Sequence, residues 1–427
     1  MANCYEYTVY KKENDKLTEI TDFDFSDIEV RGEFEEIEYL YLPYPKEDMC
    51  TGISIHAFIQ ELIKITTKFT KVRLVIQPSQ SQKEILEQLT KYDIDVTKIE
   101  FLEATLEEVW LRDSMPTFAK KKLTGENVAI KTRFDMWGRT DGDAIKSIEK
   151  ENSEILNLIA KIPEVSYIID CNYIHDGGAR QFNGQGTIML CEHYEKKRNL
   201  GFDKEKTEIM FKKIFGVTNF IWVPYACIYD DSDYVDKIKT EDEDEKIHTV
   251  LATDGHIDGF AIFAGPSTIV HTGIDDDESD EHTIENKRRL DINKEVIENA
   301  KDKNNNKYTV YSVPGEHQIS QKMHPTNNLI RKFASMDDDI VDIYIRDDKS
   351  IVVPRLCSYI NYLMMKGVVV NNAIYKEGFD KEIKESDEEC VENLKEAHPQ
   401  SEVFMIDTEA INWGGGSLHC LCAHQPK

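Results

Sequence analysis

The C-terminal residues Asn412 to Lys427 read N-W-G-G-G-S-L-H-C-L-C-A-H-Q-P-K. Three successive glycines, Gly414 to Gly416, let the backbone enter conformations closed to other residues and approach a ligand closely. They deliver His419 and Cys420 at the end of a turn with peptide N–H groups nearby, which suits a reactive thiol. Two other readings stay open at this point. Cys420 could be a buried structural cysteine. Alternatively, His419, Cys420, Cys422 and His424 could share a metal, although their spacing lacks the paired form of a zinc site. The choice turns on whether the rest of the chain supplies partners for a nucleophile.

Three further segments place chargeable residues beside glycine or a turn. In Asp254-Gly255-His256-Ile257-Asp258-Gly259-Phe260 an extended backbone would project His256 and Asp258 from one face and turn Ile257 inward. An imidazole beside a carboxylate suits acid–base work near a cationic group. The plainer reading is a hydrogen-bonded pair on a solvated strand. Trp110-Leu111-Arg112-Asp113-Ser114-Met115-Pro116 sets Asp113 just before a turn-forming proline. Trp110 argues against a plain surface position, because indole is costly to expose. His175-Asp176-Gly177-Gly178 puts a carboxylate before two glycines, by itself a common turn signal. Trp137-Gly138, Tyr359 and Asn361 are compatible with plain packing.

A thiol, an imidazole and several carboxylates together fit cysteine chemistry on a cation. Carboxylates would hold a planar guanidinium by paired hydrogen bonds. Its positive charge would help keep the thiol ionised against a free pKa of about 8.5. The thiolate could then attack the guanidinium carbon while His256 moves protons. A Cys–His protease is the competing reading, but it has no use for two carboxylates at the point of attack.

The elements that must position these groups alternate. Strand-like runs at 37–42, 72–76, 99–102, 128–132, 165–169, 187–190, 219–223, 250–253, 308–313 and 402–406 are separated by helical spacing at 56–69, 83–92, 144–160, 204–215, 281–300 and 380–396. The runs at 358–364 and 368–370 suggest a hairpin. The residues before Ile37 look acidic and irregular. Alternation throughout implies an α/β protein, and the absence of a Pro/Ser linker favours one domain. Acidic blocks at Asp230–Glu245 and Asp275–Glu281, with the polar run Asp302–Lys307, read as solvated loops.

With 80 acidic against 52 basic residues the formal net charge is −28. That disfavours nucleic acid and anionic lipid as partners and favours a small cation. No apolar run of about 18 residues is present, so no membrane span is expected. Nine scattered cysteines and an N-terminus without a basic or apolar leader point to a reducing, cytoplasmic setting.

Taken together, the segments resemble the agmatine deiminase and bacterial-type peptidylarginine deiminase family of the pentein superfamily. WLRDSMPTF is similar to its W-x-R-D-x-x-P, TDGHIDGFAIF to its D-G-H-x-D, and GGGSLHCLCAHQP to its G-G-G-x-x-H-C ending, with FDMWG and RLCSYINYLMMKGVVV in support. The resemblance runs from about Arg31 onward. It implies a five-bladed α/β propeller of pseudo-fivefold ββαβ modules with the active site in the central channel. Residues 1–30 would be an N-terminal extension, and residues 31–427 one catalytic domain with an acidic insertion at about 230–247. It further implies Cys420 as nucleophile, His256 as general acid and base, and Asp113 and Asp258 as the guanidinium grip, with Trp110 and Gly415 also at the substrate. Asp176, where the family commonly has Glu, would orient His256 on an arm one methylene shorter. Cys420-Leu421-Cys422-Ala423-His424 stands where relatives usually read C-I-T-Q-Q. The expected reaction converts agmatine to N-carbamoylputrescine and ammonia through a covalent thiouronium, with no metal or organic cofactor and a possible homodimer as the assembly. Peptidyl-arginine or free arginine is the alternative substrate, and Arg180 or Arg355 could then receive a carboxylate. A catalytically inactive binding protein of the same fold is the third reading.

Overall fold

The computed structural model describes residues 5–427 apart from 15, 47–53, 139–141, 236–251, 274–280, 318, 325, 328 and 332–349. The expected acidic insertion therefore lies mostly outside the described residues. So do most of the Asp275–Glu281 block and the start of the strand expected at Val250–Thr253.

One strand order recurs five times. An antiparallel hairpin is followed by a helix, and the chain returns as a strand parallel to the hairpin's second member. Parallel neighbours cannot be joined by a tight turn, so each unit needs its crossover helix. In the first unit Thr117–Lys121 pairs with Asn127–Arg133, the helix Gly142–Ala160 crosses, and Val165–Ile174 returns parallel. Arg180–Phe182, Thr187–Cys191 and Asn219–Val223 form the second. Ala261–Gly265, Thr268–Thr272 and Thr309–Val313 form the third. Leu363–Met365, Val368–Asn372 and Glu402–Ile406 form the fourth. The fifth joins the two ends of the chain: Ala423–Pro426 pairs antiparallel with Ile37–Pro43, which runs parallel to Lys71–Ile76, and Ile99–Glu103 adds a further strand.

The sequence pattern explains the elements. In Ile55–Thr66 the residues Phe58, Ile59, Leu62, Ile63 and Ile65 are buried, at the spacing of one helical face. Ser81 caps Gln82–Lys91 by accepting from the Glu84 N–H, and Asp203 caps Lys204–Phe215 by accepting from that of Lys206. The hairpin strands read as continuous apolar runs because both faces are covered: Val368–Asn372 and Thr187–Cys191 are buried at every position.

Two local expectations are corrected. The residues before Ile37 are not irregular. Tyr7–Glu13 and Lys16–Ile20 form a hairpin that extends the first unit's sheet beyond Val165–Ile174, and Ile28–Val30 adds to its other edge. Lys11, Glu13, Lys16 and Glu19 of the hairpin are exposed, which masks the alternation. The second correction concerns Asp254–Phe260, which is not extended. Ile257–Gly259 makes one turn of 3-10 helix directly after His256.

Candidate active site

Each unit contributes at the same place, the short segment that enters the first strand of its hairpin. The turn Leu111–Ser114 carries Asp113 into Thr117–Lys121. Asp176 precedes the turn Gly177–Ala179 and the strand Arg180–Phe182. His256 and Asp258 sit at the turn before Ala261–Gly265. Asn361 lies just ahead of Leu363–Met365, and Cys420 just ahead of Ala423–Pro426. Five segments far apart in sequence thus deliver their side chains at equivalent positions of five similar units.

His256 stands among three carboxylates. Its Nε2 is 3.1 Å from Asp176 Oδ2, and its Nδ1 is 3.7 Å from Asp113 Oδ1 and 3.9 Å from Asp258 Oδ1. The methylene missing from Asp176 does not cost the contact. The 3-10 turn still makes His256 and Asp258 converge, and Ile257 is buried as expected. Close approach requires glycine here: a Cβ on Gly178 would lie 2.3 Å from His256 Nδ1 and 3.0 Å from Asp258 Oδ1. Asp113 is fixed from two sides, with Oδ1 accepting from Gly178 N at 3.0 Å and Oδ2 from Trp137 Nε1 at 2.9 Å. The loop bearing His256 is held by Asp230, whose carboxylate accepts from the backbone N–H groups of Thr253, Gly255 and His256.

Cys420 is half-buried and faces this group. Its Sγ lies 3.3 Å from Asn361 Oδ1 and 4.0 Å from Asp258 Oδ2. Asn361 Oδ1 also accepts from the Cys420 N–H at 3.3 Å, while its Nδ2 donates to the Asp258 carbonyl. Cys420, His256, Asp258, Asn361 and Gly415 line a cleft of about 870 Å³, with Asp230, Glu316 and Arg355 further along its wall. Trp110 is not among the lining residues. It is 6 % exposed and sits within an apolar cluster, under the glycine run, where a Cβ on Gly416 would lie 2.4 Å from its Cζ3. Of the candidate metal ligands of the C-terminal stretch, His419 bonds Asp258 and Glu33, Cys422 the Leu418 carbonyl, and His424 the Met364 carbonyl and Arg112.

Comparison with known proteins bears on this arrangement. The family model described as Porphyromonas-type peptidyl-arginine deiminase matches residues 29–426. The chain belongs to that family. Among curated proteins, this deiminase-family chain is 24 % identical over 335 residues to agmatine deiminase of Pseudomonas fluorescens, covering 78 % of each chain. Two solved agmatine deiminases share its fold. That of C. jejuni, solved with substrate bound, has a TM-score of 0.64 at 21 % identity and covers 94 % of this chain and 96 % of its own. That of Enterococcus faecalis has a TM-score of 0.68 at 17 % identity, with 94 % and 96 % covered.

The electrostatics of this family member's site follow from burial set against charge. Burial alone would lower the pKa of His256, but Asp113, Asp176 and Asp258 outweigh it and hold the imidazole at about 10. Burial raises Asp176 to about 6, partly countered by its bond to His256. The Cys420 thiol is pushed well above its usual value, first by burial and then by Asp258 and Asp113. The resting site therefore pairs a protonated imidazole with a neutral thiol in a strongly negative surround.

Sequence reasoning missed three contributors. Glu33 belongs to an acidic run that reads like solvated surface. Asp230 begins an acidic block assigned to a loop. Asn361, compatible with plain packing, carries no motif chemistry of its own, and its place just ahead of the hairpin is the only signal that could have singled it out.

Proposed function

We propose that this protein hydrolyses a guanidino group through Cys420, with agmatine as substrate and N-carbamoylputrescine and ammonia as products. The observation that carries the reading is the meeting at one cleft of a thiol, a protonated imidazole and the carboxylate of Asp258, with Asp113 beside the imidazole. Asp113 and Asp258 grip the guanidinium. The bound cation offsets the carboxylate field that keeps the thiol neutral, so substrate binding itself favours the thiolate. The thiol proton leaves to solvent through the open cleft. The thiolate adds to the guanidinium carbon, and the C–N bond then breaks as His256 gives its proton to departing ammonia. The remaining S-alkylthiouronium is attacked by water, whose proton passes to the now neutral His256. The C–S bond breaks with its electron pair returning to Cys420 Sγ, which takes up the remaining hydroxyl proton as the ureido product leaves. Asp176 keeps His256 oriented, and Trp110 supports the glycine run from behind. The residues invoked already supply nucleophile, acid–base and charge stabilisation, so no step calls on a cofactor.

The repetition of one strand order in five units, each delivering its side chain at the same position, supports a five-bladed arrangement about a pseudo-fivefold axis. It also supports residues 31–427 as a single catalytic unit. Cys191, Cys227, Cys357, Cys390, Cys420 and Cys422 are free thiols, which suits a reducing compartment such as the cytoplasm, and no described helix is long and apolar enough to cross a membrane. A homodimer is the assembly that the family resemblance implies, and sedimentation of the purified chain tests it.

One observation favours a second substrate. Arg355 is 2 % exposed, lines the cleft, and leaves Nε, Nη1 and Nη2 without a hydrogen-bond partner among the described residues. Arg180 differs in having its guanidinium spent on Thr117, Thr132 and the carbonyls of His175 and Asp176. A buried unpaired cation is costly, and a substrate carboxylate would relieve it, as arginine or a C-terminal arginine would provide. Ammonia release from agmatine, arginine and an arginine-terminated peptide, each with wild type and R355M, tests both readings. Turnover of agmatine unaffected by R355M supports the first. Turnover confined to the carboxylates and lost in R355M replaces it with the second, and no turnover of any of the three refutes both.

A further inference from the structure

The mechanism leaves unexplained why Asp258, a buried carboxylate facing two others, stays ionised and correctly aimed. A chain of buried charges runs behind it. His419 is 0 % exposed, and its imidazole bridges two carboxylates, with Nδ1 2.6 Å from Asp258 Oδ2 and Nε2 2.8 Å from Glu33 Oε2. Two carboxylate acceptors, one at each ring nitrogen, require both nitrogens to donate and the ring to be an imidazolium. Glu33 Oε1 accepts in turn from Arg112 Nη1 at 2.5 Å. The Arg112 Nε donates to the His419 carbonyl at 3.3 Å, and its backbone N–H donates to the Cys420 carbonyl at 3.0 Å. The series Asp258, His419, Glu33, Arg112 alternates in sign and closes to neutrality, the condition under which charges survive burial.

We infer that Glu33 and His419 are positioning residues for substrate binding: they tie up Asp258 Oδ2 so that Oδ1 stays ionised and turned to the cleft for the guanidinium. The inference rests on the reading of the cleft as a guanidinium site. The geometry leaves Oδ1 available, since its neighbour His256 Nδ1 is 3.9 Å away, beyond hydrogen-bond reach. Directions of titration agree. Burial would raise Asp258, yet the bonded imidazole of His419 holds it below the ordinary carboxylate range. Glu33 is likewise held well below against burial by Arg112 and His419. His419 adjoins Cys420 in the chain, so the carboxylate that presents the cation is tied down next to the nucleophile. Glu33, entering ahead of the strand Ile37–Pro43, thereby couples the N-terminal end of the chain to the C-terminal thiol.

The test compares two alkylating probes on Cys420 in the full-length protein, cationic 2-chloroacetamidine and neutral iodoacetamide, read by mass spectrometry. The variants are E33Q, H419A and H419Q. Loss of a charged hydrogen bond is expected to lower the preference for the cationic probe by about 10-fold or more in E33Q and H419A, with the iodoacetamide rate unchanged. The KM for guanidino substrate should rise more than kcat falls. H419Q, which keeps one donor for Asp258, should recover part of the preference. The iodoacetamide rate reports within each variant whether Cys420 still sits in a folded cleft. An unchanged preference overturns the inference, and so does a parallel slowing of both probes, which is what a purely structural role would give. A wild-type protein that shows no preference for the cationic probe would instead remove the guanidinium-site reading and the inference with it.

Discussion

His256 Nε2 lies 3.1 Å from Asp176 Oδ2, with Asp176 fully enclosed and the imidazole nearly so. With Asp113 and Asp258, this contact holds the imidazole protonated in the resting site. An imidazole held at about 10 is an acid at neutral pH, which suits the proposed donation of its proton to departing ammonia. Removing the Asp176 charge in D176N is expected to lower the His256 pKa by about 1 or more. The alkaline limb of the kcat/KM profile should then move to lower pH, and a limb that stays in place would mean Asp176 does not set this acid.

The same shift has a consequence for stability. His256 is raised in the folded protein above its ordinary value of 6.5. Its contribution is therefore fully present below about 6.5 and is lost as pH rises through about 10. Urea midpoints of wild type should fall across that window, and H256N should lack that part of the slope. Parallel curves for the two proteins would contradict the assignment.

Cys420 is expected to be indispensable for turnover and dispensable for folding. C420S should lose roughly 10⁴-fold or more in kcat with a thermal midpoint close to wild type, since the side chain is half-buried and a hydroxyl keeps Asn361 and Asp258 as polar neighbours. In the wild type the elevated thiol predicts that iodoacetamide labelling at pH 7 is slow and climbs as pH is raised beyond 9. Fast labelling at neutral pH in the empty site would show a preformed thiolate.

Trp137 holds Asp113, one of the two carboxylates proposed to grip the substrate. Its Nε1 donates to Asp113 Oδ2 at 2.9 Å, inside the core. W137F keeps an aromatic ring and deletes the donor, leaving a carboxylate oxygen unsatisfied at a cost of about 1–3 kcal/mol. An increase in KM for guanidino substrate of about 10-fold or more is expected from that disturbance, measured by steady-state kinetics. A KM equal to wild type would show that Asp113 is held adequately by Gly178 alone.

Trp110 and Gly416 should behave as a packing pair. A methyl group at 416 would meet the Trp110 ring at 2.4 Å, so G416A is expected to destabilise by about 1–3 kcal/mol. W110A, which empties part of an apolar cluster, should cost about 3–5 kcal/mol. Denaturant unfolding checks both. Stability unaffected by W110A, with binding lost, would return the indole to the substrate.

Composition and pattern carried a good deal of this. The α/β alternation, most helix and strand positions, and the segments bearing Asp113, Asp176, His256, Asp258 and Cys420 were legible because a strand–turn entry beside glycine leaves a local mark. The N-terminal hairpin was not legible, because its exposed charges look like a solvated tail. Nor was the 3-10 turn at Ile257–Gly259, since residues two apart converge in a tight turn as well as on an extended strand. By itself the sequence determined which chemical groups exist, a thiol, imidazoles and acids, each fixed by residue type. Only the tertiary structure decided their electrical state and company. The pKa of His256, the chain from Glu33 through His419 to Asp258 and an Arg355 without a hydrogen-bond partner among the described residues all arise from burial and from groups brought together, or kept apart, across hundreds of residues, which no local pattern encodes.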